Sequence, residues 1–205
     1  RIGHYDRKAE HRRWMNDRPD SNKKPNFVNN ISFLLRYQIG WMYGRYFMWN
    51  FVGRQNGQQG YYNWDPKTGN WLSGISLVDS NRLYDQSNIP DTMKNDQSRN
   101  TYFFLPFIFG LLGLFYHFNT RKWDAFAVLL LFLMTGLAII FYSNQPPNEP
   151  RERDYVLAGS MFTYCIWIGM AVMALFDMLK RYMAGNIAAI VGAVLVLTAP
   201  LIMGF

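Results

Sequence analysis

The stretch AFAVLLLFLMTGLAIIFY, residues 125–142, has 18 consecutive positions without a charged side chain. A bilayer core of roughly 30 Å requires about 20 helical residues, within a usual range of about 17–25. Residues 101–116, 156–176 and 187–205 are also free of charge, and soluble helices seldom run so long without one. We therefore predict an all-α integral membrane protein with four transmembrane helices in residues 101–205, at 101–117, 123–143, 155–179 and 186–205.

The rest of the chain has a different composition. Half of the 205 residues are apolar and only 17% are charged, which is too few charges for the surface of a soluble protein of this size. Residues 1–100 nevertheless contain 15 of the 21 Lys and Arg and 9 of the 14 Asp and Glu. The pattern divides this half into a basic polar segment, a helix and a long loop, at 1–26, 27–53 and 54–100. Because the chain starts at Arg1 and stops at Phe205 within an apolar run, we expect it to be a piece of a longer protein.

The short connections between the apolar runs predict the orientation. Arg121 and Lys122 follow the first run, and Lys180 and Arg181 follow the third. Cytoplasmic loops carry an excess of Lys and Arg, so both basic turns are expected to face the cytoplasm. The connection 143–154, with two Arg against three acidic residues, then lies on the outer face. We predict a multi-pass protein of a bacterial inner membrane whose candidate site faces the periplasm.

The segment 1–26 is basic, with eight Lys and Arg against four Asp and Glu. Such a charge attracts anionic lipid or nucleic acid. The acids are interleaved with the bases, however, and Tyr5 and Trp14 are its only aromatic residues before Phe27. We therefore favour a solvated segment and predict no nucleic-acid partner.

The segment 27–53 has aromatic and apolar residues at close to a 3.6-residue period, interrupted by Arg36 and Arg45. An arginine at the bilayer centre costs at least ~2.5–3.5 kcal/mol, whereas a helix in the interface avoids this cost. We prefer an amphipathic interfacial or re-entrant helix, with a spanning helix as the alternative. If this helix does not cross the membrane, residues 1–26 lie on the outer face. If it crosses the membrane, residues 1–26 are cytoplasmic.

The loop 54–100 has five basic and five acidic residues and is rich in Gly, Asn and Gln. Long loops without secondary structure are uncommon unless they have a function. We predict a periplasmic lid or binding loop over the membrane surface.

A first candidate site begins in the helix 27–53 and continues into this loop. Guanidinium groups bind phosphate oxygens bidentately, and neighbouring aromatic rings suit a sugar face or an isoprenoid chain. The alternative is an amphipathic helix with a capping loop. The candidate residues for binding donor phosphate or substrate are Arg45, Trp49, Asn50, Arg54, Gln55 and Asn56.

A second candidate site is the connection before the third predicted span. Three prolines stiffen it, and four consecutive charged residues stand at the start of the helix. The alternative is a solvated loop. Its candidate binding residues are Asn144, Gln145, Arg151, Glu152, Arg153, Asp154 and Tyr155.

Other kinds of site lack a sequence signal. The single Cys165 excludes an internal disulfide and a cysteine-based zinc site. There is no phosphate-binding glycine loop, no metal-spaced His/Cys set and no nucleophile elbow, so we predict neither a metal nor a cofactor. Gly110 and Gly113, and the small residues of 188–192, suit close helix packing; incidental lipid-facing positions are the alternative.

Several motifs resemble one family of bacterial membrane proteins. That family is the protein O-mannosyltransferase-like proteins of the Bacteroidetes, classed as glycosyltransferase family 117, and the resemblance covers roughly residues 27–182. The most specific signature is PRERDY at 150–155. The other matching motifs are YQIGWMY at 37–43, RYFMWNF at 45–51, GRQN at 53–56, GNWLSGI at 69–75, RNTYFFLP at 99–106, NQ at 144–145 and IWIG at 166–169.

The resemblance implies a GT-C architecture with its catalytic site at the outer face. It implies a polyprenyl-phosphate-linked sugar as donor and a hydroxyl acceptor, such as Ser or Thr of an exported protein. Arg45, Arg54, Arg151 and Arg153 would then hold the donor phosphate. Membrane lipid, the lipid-linked sugar, and a protein acceptor or partner membrane subunits are the implied partners.

The sequence also departs from the family. The acidic Asp-x-Gly-Glu-like motif that supplies the general base, and the His-Pro-Pro-Gly motif after it, are missing, so the chain resembles the middle of the family's sequence. Gly57 stands where an Asp is usual, and Pro147-Asn148 replaces a Pro-Tyr. Glu152 or Asp154 could act as a base, although a salt-bridge network with the flanking arginines is favoured. The catalytic residues are therefore left unassigned, and a non-catalytic membrane subunit or scaffold of a larger complex is the alternative.

Overall fold

The structure is a computed structural model that describes residues 7–18, 24–60, 62, 65–147 and 154–204. The α-helices, α1 to α10 in chain order, are Arg7–Trp14, Phe27–Phe33, Tyr46–Phe51, Ser76–Arg82, Asp91–Lys94, Leu105–Thr120, Lys122–Met134, Leu137–Ser143, Ala158–Leu179 and Gly185–Gly204. A π-helix, Leu34–Arg45, joins α2 to α3, and a 3₁₀ turn, Asp154–Leu157, precedes α9. The fold described is thus mostly helical.

Three helices are long and apolar enough to cross a membrane, namely Lys122–Ser143, Tyr155–Leu179 and Gly185–Gly204. The first contains both α7 and α8, which meet at a bend at Thr135 and Gly136. These helices indicate a membrane-embedded, helical protein, as the charge-free runs predict.

The remaining predicted span forms the shorter helix α6. It has 16 residues and is about 24 Å long at roughly 1.5 Å per residue. The prediction starts this helix at residue 101, whereas α6 starts at Leu105. Phe103 and Phe104 have φ angles of 50° and 60°, a left-handed conformation that a right-handed helix cannot include.

Helices α6 and α9 form a close contact, called here the α6–α9 seam. The two helices run in the same direction, because Tyr164 contacts α6 near its start and Asp177 contacts it near its end. A Cβ atom added to Gly110 would lie 2.2 Å from the ring of Tyr164, and one added to Gly113 would lie 1.8 Å from the carbonyl oxygen of Trp167. The prediction that Gly110 and Gly113 serve close helix packing is confirmed.

Residues 27–51 form one helical rod in which the π-helix separates α2 from α3. One side of its C-terminal half packs into the bundle: the Phe47 and Phe51 rings lie 4.7 and 4.6 Å from the ring of Tyr164. At its other end Phe27 and Val28 are exposed. The residues buried in its π-helix include the polar Gln38 and Arg45 beside aromatic residues, so the predicted amphipathic character stays a prediction. Whether it spans a bilayer stays a prediction.

Helix α1 packs on this rod. Trp14 is completely buried, and its ring lies 5.1 Å from Tyr37 and 5.8 Å from Trp41. A salt bridge between Arg12 and Asp17 closes the turn after α1. The expectation of a solvated segment is therefore wrong for 7–18, because Trp14 finds an aromatic pocket that the charge pattern does not reveal.

Residues 53–60, 62 and 65–104 fold over one end of the bundle and are called here the polar layer. Strand β1, Gly53–Arg54, pairs antiparallel with β2, Asn100–Thr101, and so joins the two ends of the predicted long loop. Gly53 has a φ of 135°, and a Cβ there would lie 2.5 Å from two carbonyl oxygens. Only glycine fits at this closure. Helices α4 and α5 lie within the layer, where the sequence predicts an irregular loop.

Candidate functional site

The site is built around Arg45, the last residue of the π-helix. Its guanidinium carbon lies 4.7 Å from the ring centroid of Trp41 and 5.2 Å from that of Trp49. The spacing of four residues places these rings on the same side of the helix as Arg45. Arg45 Nη1 also donates a hydrogen bond to the carbonyl oxygen of Gly69 at 2.9 Å. The side chain is 5% exposed, so the cation is held between two indoles and the polar layer.

A cavity of about 310 Å³ lies beside Arg45, between the π-helix and the polar layer, and is called here the cationic cavity. Three arginines line it, and the described lining residues include no carboxylate. The described lining residues are Arg36, Gly40, Trp41, Gly44, Arg45, Met48, Asn70, Trp71 and Arg82.

Arg82 belongs to α4 and reaches the cavity across Trp71. Its guanidinium carbon lies 3.7 Å from the Trp71 ring centroid, and the same group donates a hydrogen bond to the Trp71 carbonyl oxygen. Burial lowers the pKa of Arg82 to about 10, an effect that the nearby Asp79 carboxylate opposes. A pKa of about 10 leaves Arg82 charged at neutral pH, so it is a cation available to an anionic ligand.

A second cavity, of about 260 Å³, lies on the other side of Arg45 and is called here the apolar cavity. It lies at the ends of α8 and α9, where the two helices approach the π-helix. Most of the surface that lines it is apolar, and its polar side chains include Gln145. The described lining residues are Met42, Arg45, Tyr46, Ile139, Ile140, Tyr142, Ser143, Gln145, Val156 and Leu157.

The structure brings together part of the two predicted clusters. Arg45 of the first and Gln145 of the second line the same apolar cavity. Asn144 accepts a hydrogen bond from Gln38 Nε2 at 2.8 Å, which fixes the connection after α8 to the π-helix. Tyr155 is 65% exposed and does not line either cavity.

The amides of the first cluster have a structural role. Gln55 Nε2 donates to the carbonyl oxygen of Pro66 at 2.7 Å, and Asn56 Nδ2 donates to that of Lys67 at 3.0 Å. Their side-chain oxygens accept from the backbone of Asn70 and Gly69. The hydrogen-bonding groups of Gln55 and Asn56 thus hold the loop 65–70 in place, and the prediction that these residues contact a donor stays a prediction.

Three other predicted residues of this cluster lie outside the cavity linings. Trp49 Nε1 donates to the carbonyl oxygen of Asn70 at 2.7 Å, and its ring supports Arg45. Asn50 Nδ2 donates to the Tyr46 carbonyl oxygen at 2.8 Å, one turn earlier in α3. The Arg54 guanidinium lies 5.5 Å from the Trp49 ring, one layer behind Arg45. Their predicted binding roles stay predictions.

Part of the second cluster cannot be placed. Arg151, Glu152 and Arg153 lie outside the described residues, and Asp154 is described only as the backbone start of the 3₁₀ turn. Their predicted roles stay predictions.

Sequence reasoning missed the other half of the cationic cavity. In the sequence, Arg36 only interrupts an apolar run, and Asn70, Trp71 and Arg82 fall within the predicted loop. A motif search cannot find Arg82, because only the fold of the polar layer brings Arg82 to the same cavity as Arg45. The signal that was available is the pairing of Trp71 with a nearby arginine in a membrane-proximal loop.

No group of three His, Cys, Asp or Glu side chains that could hold a metal ion occurs within the part of the chain that is described. The fold and the site thus define a helical, membrane-embedded protein with an arginine-lined cavity at one end of its bundle. The chain matches no protein-family model, no curated protein sequence and no solved structure. The family resemblance therefore stays a prediction.

Proposed function

We propose that this chain is the membrane segment of a GT-C-like glycosyltransferase, which moves a sugar from a polyprenyl-phosphate donor to a hydroxyl acceptor such as a protein Ser or Thr. The observation that best supports this proposal is that Arg45 lines two adjacent cavities of opposite character. An apolar cavity suits an isoprenoid chain, and a cavity with three arginines suits the phosphate at the end of that chain.

The proposal places both cavities on the periplasmic side of a bacterial inner membrane. The basic turns at Arg121-Lys122 and Lys180-Arg181 lie together at the opposite end of the bundle, since Tyr116 donates a hydrogen bond to Asp177 at 2.9 Å. By the excess of positive charge expected inside, that end is cytoplasmic. In this arrangement α6 also crosses the membrane, as a fourth transmembrane helix.

The chemistry assigned to the arginines is stabilisation of the leaving phosphate. Arg45 and Arg82 are held in place by indole rings and by backbone carbonyl oxygens. Fixed cations that already point toward developing negative charge require little rearrangement during the reaction. The described linings of both cavities contain no carboxylate, so the proposal assigns the general base to an acidic residue outside them.

Lipid binding tests the donor site directly. The full chain in phosphatidylcholine nanodiscs is titrated with farnesyl phosphate and, separately, with farnesol. We expect farnesyl phosphate to bind at least about tenfold more tightly, because a charged hydrogen bond contributes about 1.5–3 kcal/mol. Arg45→Gln should remove most of this difference, whereas Arg45→Lys retains a charge and should preserve part of it.

The matched control is Arg121→Gln, which changes an arginine that is 75% exposed at the other end of the bundle. It should leave binding unchanged. Equal binding of farnesyl phosphate and farnesol to the unmodified chain would overturn the proposal, whatever the variants show.

A non-catalytic membrane subunit is the second candidate. The observation that favours it is the same lack of a carboxylate in the described cavity linings. Purification of the native protein from its membrane distinguishes the two: co-purifying lipid-linked sugar supports the transferase, and foreign subunits in fixed stoichiometry support the scaffold.

A further inference from the structure

The cationic cavity has more positive charge than a phosphodiester balances. Its described lining contributes three guanidinium groups, from Arg36, Arg45 and Arg82, and no carboxylate. The carboxylate of Asp79, also in α4, interacts electrostatically with the Arg82 guanidinium. Counting this carboxylate, the local charge is three minus one, or +2. A singly charged phosphodiester would leave one positive charge unbalanced, whereas a doubly charged phosphate monoester would balance both.

Asp79 cannot readily turn toward the cavity to reduce this charge. Its Oδ1 accepts hydrogen bonds from the backbone N–H and the hydroxyl of Ser73, at 3.0 and 3.1 Å, and its Oδ2 accepts from the Gly74 N–H at 2.8 Å. The residue is 1% exposed. Rotation would leave the two donors of the buried Ser73 and the Gly74 N–H without this acceptor, which is unfavourable.

Two of the three cations are fixed as well, whereas Arg36 is exposed. Arg45 is held by Trp41, Trp49 and the Gly69 carbonyl oxygen, and Arg82 lies against Trp71. Fixed charges in a partly enclosed cavity interact with a ligand's charge more strongly than mobile charges in water do. The cavity therefore discriminates between ligands by their charge.

We propose that the cationic cavity prefers a doubly charged phosphate monoester to a singly charged phosphodiester, so that the released lipid phosphate binds more tightly than the sugar-linked donor and inhibits the reaction. This inference rests on the proposed function. In the transfer, the bond between the sugar carbon and the phosphate oxygen breaks, and the acceptor oxygen forms a bond to that carbon. The acceptor proton leaves to a base. The phosphodiester, with one negative charge, becomes a monoester with two, because the second ionisation of a phosphate monoester occurs near pH 6.

The test compares two lipids that differ by one methyl group. The full chain in phosphatidylcholine nanodiscs is titrated at pH 8 with farnesyl phosphate, a dianion, and with farnesyl methyl phosphate, a monoanion. We expect the monoester to bind about tenfold or more tightly than the diester. At pH 5 the monoester is also a monoanion, and the preference should fall to less than about threefold.

Each control separates one explanation. Arg82→Gln should reduce the preference at pH 8, Arg82→Lys should retain it, and Arg121→Gln should have no effect. Inorganic phosphate should compete only at concentrations at least about a hundredfold higher than farnesyl phosphate, because it cannot fill the apolar cavity. Competition at equal concentration would instead indicate a site for free phosphate and would overturn the lipid assignment.

The outcomes also separate this inference from the proposed function. If both phosphates bind more tightly than farnesol but equally at pH 8, the charge preference is overturned and the donor site stands. If neither binds more tightly than farnesol, both proposals fail. A preference that persists unchanged at pH 5 would show that the methyl group is excluded by its size, and it would overturn the charge argument.

Discussion

The α6–α9 seam and the polar layer belong to one chain but are stabilised in different ways. In the seam, Gly113 allows the backbone of one helix to approach the backbone of the other, and rings of Tyr164 and Trp167 pack around the contact. In the polar layer, side-chain oxygens and amides hold the backbone: Gln55 and Asn56 bind residues 66–70. The first region depends on shape and the second on hydrogen-bond partners.

This difference predicts that the two regions are destabilised by different kinds of substitution. Between apolar helices there is little hydrophobic gain from association, so close van der Waals packing is decisive. A buried loop needs a partner for nearly every backbone polar group. Added volume should therefore damage the seam, and the loss of one acceptor should damage the polar layer.

The largest effect is expected in the seam. Gly113→Leu places a side chain where even a Cβ atom would lie 1.8 Å from the Trp167 carbonyl oxygen. Because this neighbour is backbone, the helices must separate, and we expect loss of the folded, monodisperse protein in detergent. The milder Gly113→Ala should lower the stability by about 1–3 kcal/mol, the usual cost of overpacking. Thermal unfolding in detergent measures both.

Gly169 supplies the matched control within the same pair of helices. It lies in α9, and a Cβ atom added there meets nothing within 4 Å. Gly169→Ala should be neutral or stabilising by up to about 1 kcal/mol, because alanine favours helix more than glycine does. If Gly113→Ala and Gly169→Ala gave the same unfolding temperature, the seam would not depend on shape.

The next largest effect is expected at Asp79 in the polar layer. Asp79→Ala removes the acceptor of three hydrogen bonds from Ser73 and Gly74. An unsatisfied buried donor costs about 1–3 kcal/mol, so we expect the opening of this turn to become roughly 10–100-fold more frequent. Hydrogen exchange at the amides of residues 73 and 74 measures it.

Asp79→Asn retains one oxygen acceptor and should give an intermediate exchange rate. The exchange of α9 serves as the internal reference, since α9 belongs to the helical bundle, whereas the Ser73 and Gly74 donors to Asp79 belong to the polar layer. Slow exchange of residues 73 and 74 in Asp79→Ala would show that the polar layer is held by something other than this acceptor.

The helices of residues 101–205 could be predicted because local sequence determines them. A long run without charge, such as 125–142, has few alternatives to an apolar helix, and small residues such as Gly110 and Gly113 indicate where helices approach. The start of α6 could not be predicted, because the left-handed turn at Phe103 and Phe104 has no glycine or asparagine to signal it.

The site was predicted only in part for a related reason. Arg45 stands out because an arginine is costly in an apolar helix that could enter the bilayer. Gln55 and Asn56 are candidates because amides bind ligands, but amides bind backbone equally well, and residue type does not distinguish the two. Arg82 depends on a contact between distant parts of the chain, which a single sequence does not show.

The smallest predicted effect concerns the docking of α1, which sharpens the comparison because it combines aromatic packing with a titratable group. The His11 ring lies 5.0 Å from that of Phe33 in a stacked arrangement, and burial lowers the pKa of His11 below its usual 6.5. Below pH 6.5 an undocked His11 therefore binds protons more readily than the docked one, so docking is fully stable above this pH and weakens as the pH falls.

We expect hydrogen exchange of residues 8–15, corrected for its intrinsic pH dependence, to increase a few-fold between pH 7 and pH 5. His11→Phe keeps the stacked ring and removes the charge, so its corrected exchange should be independent of pH. The same increase in His11→Phe would assign the pH effect to another titratable group, and His11 would then contribute to the docking of α1 only through its ring.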